Sequence, residues 1–222
     1  MARYAISDIH GCLNTFKEAL ELIALTKEDT LYLLGDYVDR GPDSKGVIDY
    51  IWELQGEGFN VECIVGNHEA LLLEAAQAED WKNRYWDAAC FQSFGIQAPS
   101  HIPKEYLKWI AQLPVYLDIG DYLLVHAGFN FKADNPLADE RSMIWIRNWY
   151  HQIDMEWLNG RVIVHGHTPT SYLKIQSKVL QLAIAPALDI DAGCVFPYEH
   201  LNHLCVFNLD SRELVFQHNV EG

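Results

Sequence analysis

Three successive segments of the chain end in polar side chains that can bind a metal ion or move a proton. These side chains are Asp8, His10, Asp36, Asp39, Arg40, Asn67 and His68. In each segment an apolar run comes first and a glycine stands beside the polar residues. Core packing does not require such groups of charges at a strand end, and ligands of α/β proteins bind at that end. A repeated ligand-binding arrangement therefore explains the pattern better than three solvated turns.

Two later apolar runs also end in histidine, the first at His126 and the second at His165 and His167. With the earlier residues they supply two aspartates, one asparagine and three histidines as metal ligands. Structural zinc sites use cysteine, and no cysteine lies in any of these groups. Oxygen and imidazole ligands favour manganese, iron or zinc in a catalytic site. Spacing does not choose between His165 and His167, so both stay candidates.

The elements that would position these residues are strands alternating with helices. Apolar runs at residues 3–8, 31–34 and 60–65 predict three buried strands, and helical spacing over 13–25 and 44–54 predicts the connecting helices. On the first strand Asp8 and His10 share a face, because alternate side chains of a strand point the same way. Parallel strands joined in this manner bring their carboxyl ends to one edge of a sheet.

The second half of the sequence predicts an α+β arrangement. Helices are predicted over residues 70–78, 103–113 and 143–150, and a hairpin over 115–119 and 122–126. Further strands are predicted over 161–165, 172–176, 187–191, 203–208 and 213–217. The aromatic residues Trp81, Tyr85, Trp86 and Phe91 are interpreted as core or lid packing. With no linker or low-complexity segment, residues 1–222 are predicted to form a single domain.

Composition excludes several classes of partner. Half of the 222 residues are hydrophobic, enough for a large core, and the net charge is −15. That charge argues against nucleic acid and anionic membranes as partners. The five cysteines are scattered, and the N-terminus has no apolar signal segment. We therefore expect a cytoplasmic protein with reduced thiols.

The motifs occur in an order that resembles the phosphoprotein phosphatase family of the calcineurin-like metallophosphoesterases, especially its short bacterial and phage members. The motifs are Asp8-Ile9-His10-Gly11, Gly35-Asp36-Tyr37-Val38-Asp39-Arg40-Gly41, Gly66-Asn67-His68-Glu69, His126-Ala127-Gly128 and Gly166-His167. The resemblance implies an α/β fold in which mixed β-sheets form a central sandwich flanked by helices.

The resemblance also implies two metal sites. Residues matching Asp8, His10 and Asp36 bind the first ion in that family. Those matching Asp36, Asn67, His126 and His167 bind the second, which selects His167 over His165. Two divalent ions are expected, with manganese favoured over iron or zinc. A hydroxide that they hold would attack the phosphoryl group directly.

The remaining roles carried by the resemblance concern the substrate. Arg40, Arg147 and Asn67 are expected to bind the substrate phosphate, and His68 to act as the proton donor, oriented by Asp39. The expected activity is that of a protein serine/threonine phosphatase, extending in principle to phosphotyrosine. Its partner would be a phosphorylated protein or peptide, and no regulatory subunit is expected.

Two other functions compete with this expectation. A diadenosine polyphosphate hydrolase of the same superfamily would carry similar metal ligands, but such relatives typically lack an aspartate at the position of Asp39. A catalytically silent metal-binding adaptor would be expected to lose Asp36, His68 or Arg40. The sequence keeps all of these residues, so the phosphomonoesterase is the primary prediction.

Overall fold

The computed structural model describes residues 1–83 and 87–221, in which strands and helices form a mixed α/β architecture. The strands are β1 (Arg3–Ile6), β2 (Thr30–Leu33), β3 (Asn60–Cys63), β4 (Tyr116–Asp118), β5 (Tyr122–Val125), β6 (Val162–His165), β7 (Ala187–Asp189), β8 (His203–Asn208) and β9 (Leu214–His218). The α-helices are α1 (Leu13–Leu22), α2 (Ser44–Glu57), α3 (Asn67–Gln77), α4 (Ala88–Phe94), α5 (Lys104–Ile110), α6 (Glu140–Trp145), α7 (Met155–Leu158) and α8 (Tyr172–Val179). Tyr85 and Trp86 of the predicted aromatic segment lie outside the described residues.

The first sheet has the strand order β3-β2-β1-β8-β9. Strands β1, β2 and β3 are parallel, and Ile6, Leu33 and Cys63 are aligned in register across them. β8 and β9 add antiparallel strands on the other side. Because the three parallel strands end at the same level, the loops that follow them leave the sheet at one edge.

The second sheet has the order β4-β5-β6-β7. β4 and β5 form the predicted antiparallel hairpin, while β5, β6 and β7 run parallel. Leu124 of β5 pairs with Val164 of β6, so the histidines that follow these strands also emerge together. Both sheets therefore deliver polar loop residues at a strand end.

The two sheets pack face to face, with helices on their outer sides. Tyr32 of β2 and Leu34, the residue after this strand, belong to a buried cluster shared with Leu124 of the second sheet. Leu31 and Leu33 point the other way, into the cluster with the helices. Alternate residues of a strand face opposite sides, and burying each leucine contributes roughly 1.5–3 kcal/mol. The predicted central sandwich flanked by helices is confirmed.

Two of the predicted elements are wrong. Residues 172–176 were predicted as a strand but form the start of α8, whose N-cap Ser171 accepts a hydrogen bond from the Lys174 amide. The short apolar–polar alternation around Ile175 mimics a strand, although Ile175 is the only residue of this helix that is fully buried. The helix predicted over 143–150 begins earlier and ends at Trp145, because Ile146 is extended.

Within the described residues, no helix combines the length and apolar character needed to cross a bilayer.

Candidate dimetal centre

The loops that carry the predicted site residues have an uncommon backbone. Positive φ angles between 49° and 74° occur at Asp8, His10, Asp36, Asp39, Arg40 and His167. Residues other than glycine rarely adopt this conformation, and each such residue costs of order 1–3 kcal/mol when strained. Such residues cluster at functional sites, where the surrounding structure holds them in place.

Backbone hydrogen bonds tie the first two loops together. The amide of His10 donates to the carbonyl of Asp36 at 2.8 Å, and the amide of Gly11 donates to Tyr37 at the same distance. Gly41 packs so closely on the carbonyl of His10 that a Cβ there would overlap it. The loops after β1 and β2 therefore form one rigid unit at the edge of the sheet.

The carboxylate of Glu69 on α3 accepts hydrogen bonds from backbone amides of the loops that follow β2 and β3. One carboxylate oxygen accepts hydrogen bonds from the amides of Asp36 at 2.8 Å and Gly66 at 2.9 Å. The other accepts from Tyr37 at 2.7 Å and Val38 at 3.2 Å. The side chain is fully buried. Glu69 belongs to the motif Gly66-Asn67-His68-Glu69, but its position in the sequence predicts no role for it. The available signal was a carboxylate in the first turn of a helix.

One group of ligand atoms surrounds Asp36 on the side of the second sheet. Nε2 of His126 lies 2.9 Å from Oδ1 of Asn67 and 3.4 Å from Oδ1 of Asp36. Nδ1 of His167 lies 2.8 Å from the same Asn67 oxygen. Asp36, His126 and His167 could hold one ion together. The structure thus brings together all four side chains predicted for one metal.

A second group lies on the other side of Asp36. Nε2 of His10 is 3.6 Å from Oδ2 of Asp36 and 4.0 Å from Oδ1 of Asp8. Geometry alone also places His68 in this group, with its Nε2 atom 4.0 Å from Oδ2 of Asp36. The two carboxylate oxygens of Asp36 therefore face different groups, as a carboxylate shared by two ions would.

The chemistry of both groups fits a bound cation. Nδ1 of His126 donates to the carbonyl of Leu34 at 2.8 Å, so its Nε2 carries a lone pair that faces the oxygens of Asn67 and Asp36. His10 likewise donates from Nδ1 to the carbonyl of Val38 at 2.9 Å, so its Nε2 also carries a lone pair, which lies 2.8 Å from the guanidinium of Arg40. Lone pairs that face each other in a buried site repel, and a cation between them removes that cost.

Burial acts on the protonation of the same residues. It lowers the pKa of His10 well below its usual range and that of His167 to about 3, so both imidazoles are neutral, as metal ligands must be. Burial also raises the pKa of Asp36 well above its usual range. Nε2 of His167 is buried without a hydrogen-bond partner among the described residues. Neutral imidazoles and an unpartnered ring nitrogen are what a metal ion requires of its ligands, so these residues fit a bound cation.

His68, Asp39 and Arg40 form a chain of contacts beside the first group. Nδ1 of His68 lies 2.6 Å from Oδ2 of Asp39. Burial works against a charged imidazole, but the hydrogen bond and charge of Asp39 together with Asp36 raise the pKa of His68 above its usual value. Guanidinium nitrogens of Arg40 lie 3.0 Å from Nε2 of His68 and 2.8 Å from Nε2 of His10. These residues lie together as predicted.

Arg147 reaches the centre from the opposite side. Its guanidinium is exposed and donates to the hydroxyl of Thr168, the residue after His167, at 3.1 Å. Beneath it, Trp149 is buried and donates from Nε1 to the carbonyl of Ala127 at 2.9 Å. Arg40 and Arg147 therefore flank the candidate dimetal centre on its two sides.

His165, the alternative ligand left open by spacing, does not join either group. It is buried, with Nδ1 3.0 Å from the carbonyl of Gly166 and Nε2 3.0 Å from the hydroxyl of Tyr150. Burial lowers its pKa to about 3. Both ring nitrogens of His165 thus contact Gly166 and Tyr150 and not the two groups of ligand atoms.

A sandwich of mixed sheets that gathers carboxylates and imidazoles at one edge is the architecture of a metal-dependent hydrolase. The chain belongs to the calcineurin-like phosphoesterase family, whose model matches residues 1–208. Members of this family are metallophosphoesterases with a dinuclear metal centre. The chain is accordingly a hydrolase of this class, and the residues described above can supply the ligands.

The chain is similar in sequence to enzymes that are named for the hydrolysis of dinucleoside tetraphosphates. The chain is 36% identical over 172 residues to a symmetrical bis(5'-nucleosyl)-tetraphosphatase of Nitrosomonas europaea, covering 75% of this chain and 60% of that protein. A relative of the same description from Nitrosospira multiformis is 35% identical over 129 residues, which are 58% of this chain and 44% of that protein. The chain thus spans about half the length of the curated relatives it matches.

Two solved structures share the fold. One, described as a candidate diadenosine tetraphosphatase, superposes with a TM-score of 0.71 at 19% identity, covering 99% of this chain and 94% of the other. The other is a protein serine/threonine phosphatase from Saccharomyces cerevisiae, with a TM-score of 0.62 at 15% identity and coverage of 100% and 81%. Membership of the narrower phosphoprotein phosphatase family stays a prediction.

Proposed function

We propose that this chain hydrolyses dinucleoside tetraphosphates at the central bridging oxygen and releases two nucleoside diphosphates. The observation that carries the proposal is the 36% identity over 172 residues to a relative that is named for this reaction. This function replaces the protein phosphatase as the primary candidate. The sequence alone ranked it second because Asp39 is present.

The proposed ligands of two divalent ions are the six side chains gathered on the two sides of Asp36. They are Asp8, His10, Asp36, Asn67, His126 and His167. Two such ions would lower the pKa of a bound water and neutralise phosphate charge. Manganese suits the mixture of oxygen and imidazole donors, with iron and zinc as alternatives.

The charged side chains around these ligands bind and orient the phosphates. Arg40 and Arg147 lie on opposite sides of the centre, so each can bind the phosphate oxygens on one side of the bridging oxygen that is cleaved. The planar guanidinium donates two parallel hydrogen bonds to a phosphate. Asn67, whose amide nitrogen is not needed for a metal, can donate to the central phosphate.

His68 has the contacts of a proton donor for the leaving group. Its Nδ1 is held by Asp39, which leaves Nε2 directed toward Arg40 and Asp36. A bound phosphate would draw Arg40 away from Nε2 of His68, so that Nε2 can carry a proton. When water adds to one central phosphorus and loses a proton to solvent, the bridging P–O bond breaks and Nε2 can give its proton to the departing oxygen. Asp39 stabilises the protonated imidazole before this transfer.

A second candidate function is phosphomonoester hydrolysis on proteins or peptides. The observation that favours it is the 2.6 Å contact between His68 and Asp39. A serine alkoxide is a poor leaving group and needs full protonation, whereas a nucleoside diphosphate leaves with much less assistance. A firmly held acid is therefore more valuable to a phosphoserine phosphatase than to a tetraphosphatase.

One experiment ranks the two functions. The purified chain with added Mn²⁺ is assayed on diadenosine tetraphosphate, phosphoserine and phosphotyrosine peptides, and para-nitrophenyl phosphate. We expect the highest kcat/KM on diadenosine tetraphosphate, with ADP as the sole nucleotide product. Formation of AMP plus ATP would overturn the symmetrical reaction, and a higher kcat/KM on the phosphopeptides would establish the second candidate instead.

Asp36→Asn provides the control for this assay. Removing the shared charge is expected to abolish both the retention of metal and turnover on every substrate. Metal content after gel filtration, measured by mass spectrometry, reports the first effect without relying on activity.

A further inference from the structure

A groove leads away from the candidate dimetal centre on the side of Arg147. Its inner part is a cavity of about 260 Å³ that begins at Arg147 and Thr168, directly beside His167. Its outer part is a cavity of about 590 Å³ that ends at Ile184 and Pro186. Asn148, Tyr150, Lys174 and Lys178 line both cavities, so the two are continuous. We call this feature the lysine groove.

The inner part of the lysine groove concentrates positive charge in an acidic protein. The chain has 31 acidic and 16 basic residues, yet Arg147, Lys174 and Lys178 all line this one cavity. Lys174 and Lys178 are one turn apart on α8 and therefore point the same way. Among the described residues, neither lysine has a carboxylate within 4.0 Å to neutralise it.

One carboxyl group, Asp189, also lines the inner part. It is buried and accepts hydrogen bonds from the Thr170 hydroxyl at 3.1 Å and the Asp191 amide at 3.0 Å. Burial raises its pKa well above the usual range, which favours the uncharged form. Lys178 interacts electrostatically with this carboxyl group, which opposes the lowering of the Lys178 pKa by burial.

The outer part of the groove has a different character. Besides Gln181 and the four residues that it shares with the inner part, it is lined by a set of apolar residues: Ile153, Met155, Ile184, Ala185, Pro186 and Ala187. Lys178 lies over the ring of Tyr150, 4.3 Å from its centre. Met155 and Ile184 are respectively 54% and 81% exposed, although they line a concave surface. We call this cavity, which has one apolar wall, the apolar chamber. Its size lies within the 300–1,000 Å³ of small-molecule sites, and a nucleobase could stack against the apolar wall.

We propose that the lysine groove binds the nucleoside diphosphate arm of the substrate on the Arg147 side of the metal centre. Lys174 and Lys178 bind the phosphate that lies beyond Arg147, and the apolar chamber holds the nucleoside. This inference rests on the proposed function, because it assigns a place to one half of a dinucleotide. It makes the two lysines determinants of substrate specificity.

Binding of ADP tests the assignment without depending on turnover. Isothermal titration calorimetry compares the Mn²⁺-loaded wild-type chain with the double variant Lys174→Gln/Lys178→Gln. We expect the double variant to bind ADP at least about tenfold more weakly, because two charge-assisted contacts to phosphate are lost. Lys17→Gln is the matched control, since Lys17 also lies over a tyrosine ring, that of Tyr50, at 4.9 Å. It should bind ADP like the wild type.

The apolar chamber is tested by Ile184→Ser, a change at a side chain that is 81% exposed and can be replaced without unfolding the chain. This variant should bind ADP about threefold to fivefold more weakly but pyrophosphate as tightly as the wild type, since pyrophosphate has no nucleoside. If the affinities for ADP and pyrophosphate fell equally, or if the affinity for ADP did not fall, the nucleoside would not bind in the apolar chamber.

The outcomes separate this inference from the proposed function. The double variant could bind ADP more weakly although the wild type does not hydrolyse diadenosine tetraphosphate. That result would support ADP binding in the lysine groove and refute the proposed function. Hydrolysis of that substrate, with equal ADP affinity in wild type and double variant, would refute the groove alone. If the double variant has a lowered Tm, the exposed single variant Lys174→Gln replaces it, with an expected weakening of about threefold.

Discussion

Nδ1 of His68 and Oδ2 of Asp39 are 2.6 Å apart at the edge of the candidate dimetal centre. The contact joins α3 to the loop after β2, and its two residues are 29 positions apart in the sequence. It fixes one ring nitrogen of His68 as a donor and directs the other toward Arg40, which lies 3.0 Å away. In the proposed mechanism, this pair would orient His68 to protonate the leaving group.

Replacing His68 should slow substrates in proportion to the basicity of their leaving groups. His68→Asn is expected to lower kcat on an alkyl phosphate by about 10²–10⁴ and on para-nitrophenyl phosphate by much less, because nitrophenolate leaves without a proton. Steady-state kinetics on both substrates measures the ratio. Equal losses on the two would show that His68 does not act as the acid.

Asp39→Asn should also slow the alkyl phosphate more than para-nitrophenyl phosphate, but by a smaller factor than His68→Asn. The amide can still contact Nδ1 of His68, but it no longer stabilises a charged imidazole. Metal content measured by mass spectrometry should match that of the wild type in both variants. Loss of metal would indicate that these residues act as ligands instead.

Neutralising Glu69 should loosen the loop after β2. Glu69→Gln replaces one carboxylate oxygen by an NH₂ group, which then faces either the amides of Asp36 and Gly66 or those of Tyr37 and Val38. Leaving buried donors unpaired costs about 1–3 kcal/mol each, so we expect the free energy of unfolding to fall by several kcal/mol. Urea denaturation measures it. Glu74→Gln, an exposed position of the same helix, is the control and should change stability by less than about 0.5 kcal/mol.

Two glycines with the same backbone conformation should differ in their tolerance of alanine. Gly35 has a φ of +89° and its Cβ would lie 2.5 Å from the amide nitrogen of Gly66, whereas Gly120 has a φ of +88° with open space around it. Gly120→Ala should cost about 1 kcal/mol from backbone strain alone. Gly35→Ala adds a clash between two site loops and should cost at least about 3 kcal/mol more. Similar losses in thermal unfolding would contradict the close approach of these loops.

The cap of α6 should make stability depend on pH. The Asp139 carboxylate accepts hydrogen bonds from the side chains of Asn130 and Ser142 and from the Ser142 amide, and these contacts lower its pKa from 3.8. A group with a lowered folded-state pKa stabilises fully above its unfolded pKa and loses that contribution as pH falls through the folded value.

Asp139→Ala should therefore reduce the free energy of unfolding by about 1 kcal/mol at pH 7, and the difference from wild type should shrink below about pH 4. Chemical denaturation at a series of pH values follows the difference. Glu140→Gln, a change at the neighbouring exposed position, should leave the pH dependence as it is in the wild type. A difference that grew on acidification would have the wrong sign for this cap.

Much of the fold could be read from local patterns. The apolar runs at residues 31–34 and 122–126 predict buried strands because branched and aromatic residues with alternate faces suit a sheet between two layers. The pattern failed at Tyr172–Val179, where five residues of alternation are too few to distinguish a strand from a helix with one buried residue. It also missed the break at Ile146, an extended residue that packs against the buried cluster containing Trp149.

The sequence by itself determined which side chains are available for chemistry and that a metal-binding set stands at the ends of apolar strands. The tertiary structure decided their grouping, since Asp36 meets His126 and His10 only because two sheets and their loops converge there. It also decided that Glu69 accepts hydrogen bonds from the loop after β2 and that Lys174, Lys178 and Arg147 line one cavity. Spacing along a chain records the residue types, whereas distances across a fold depend on the packing of elements far apart in sequence.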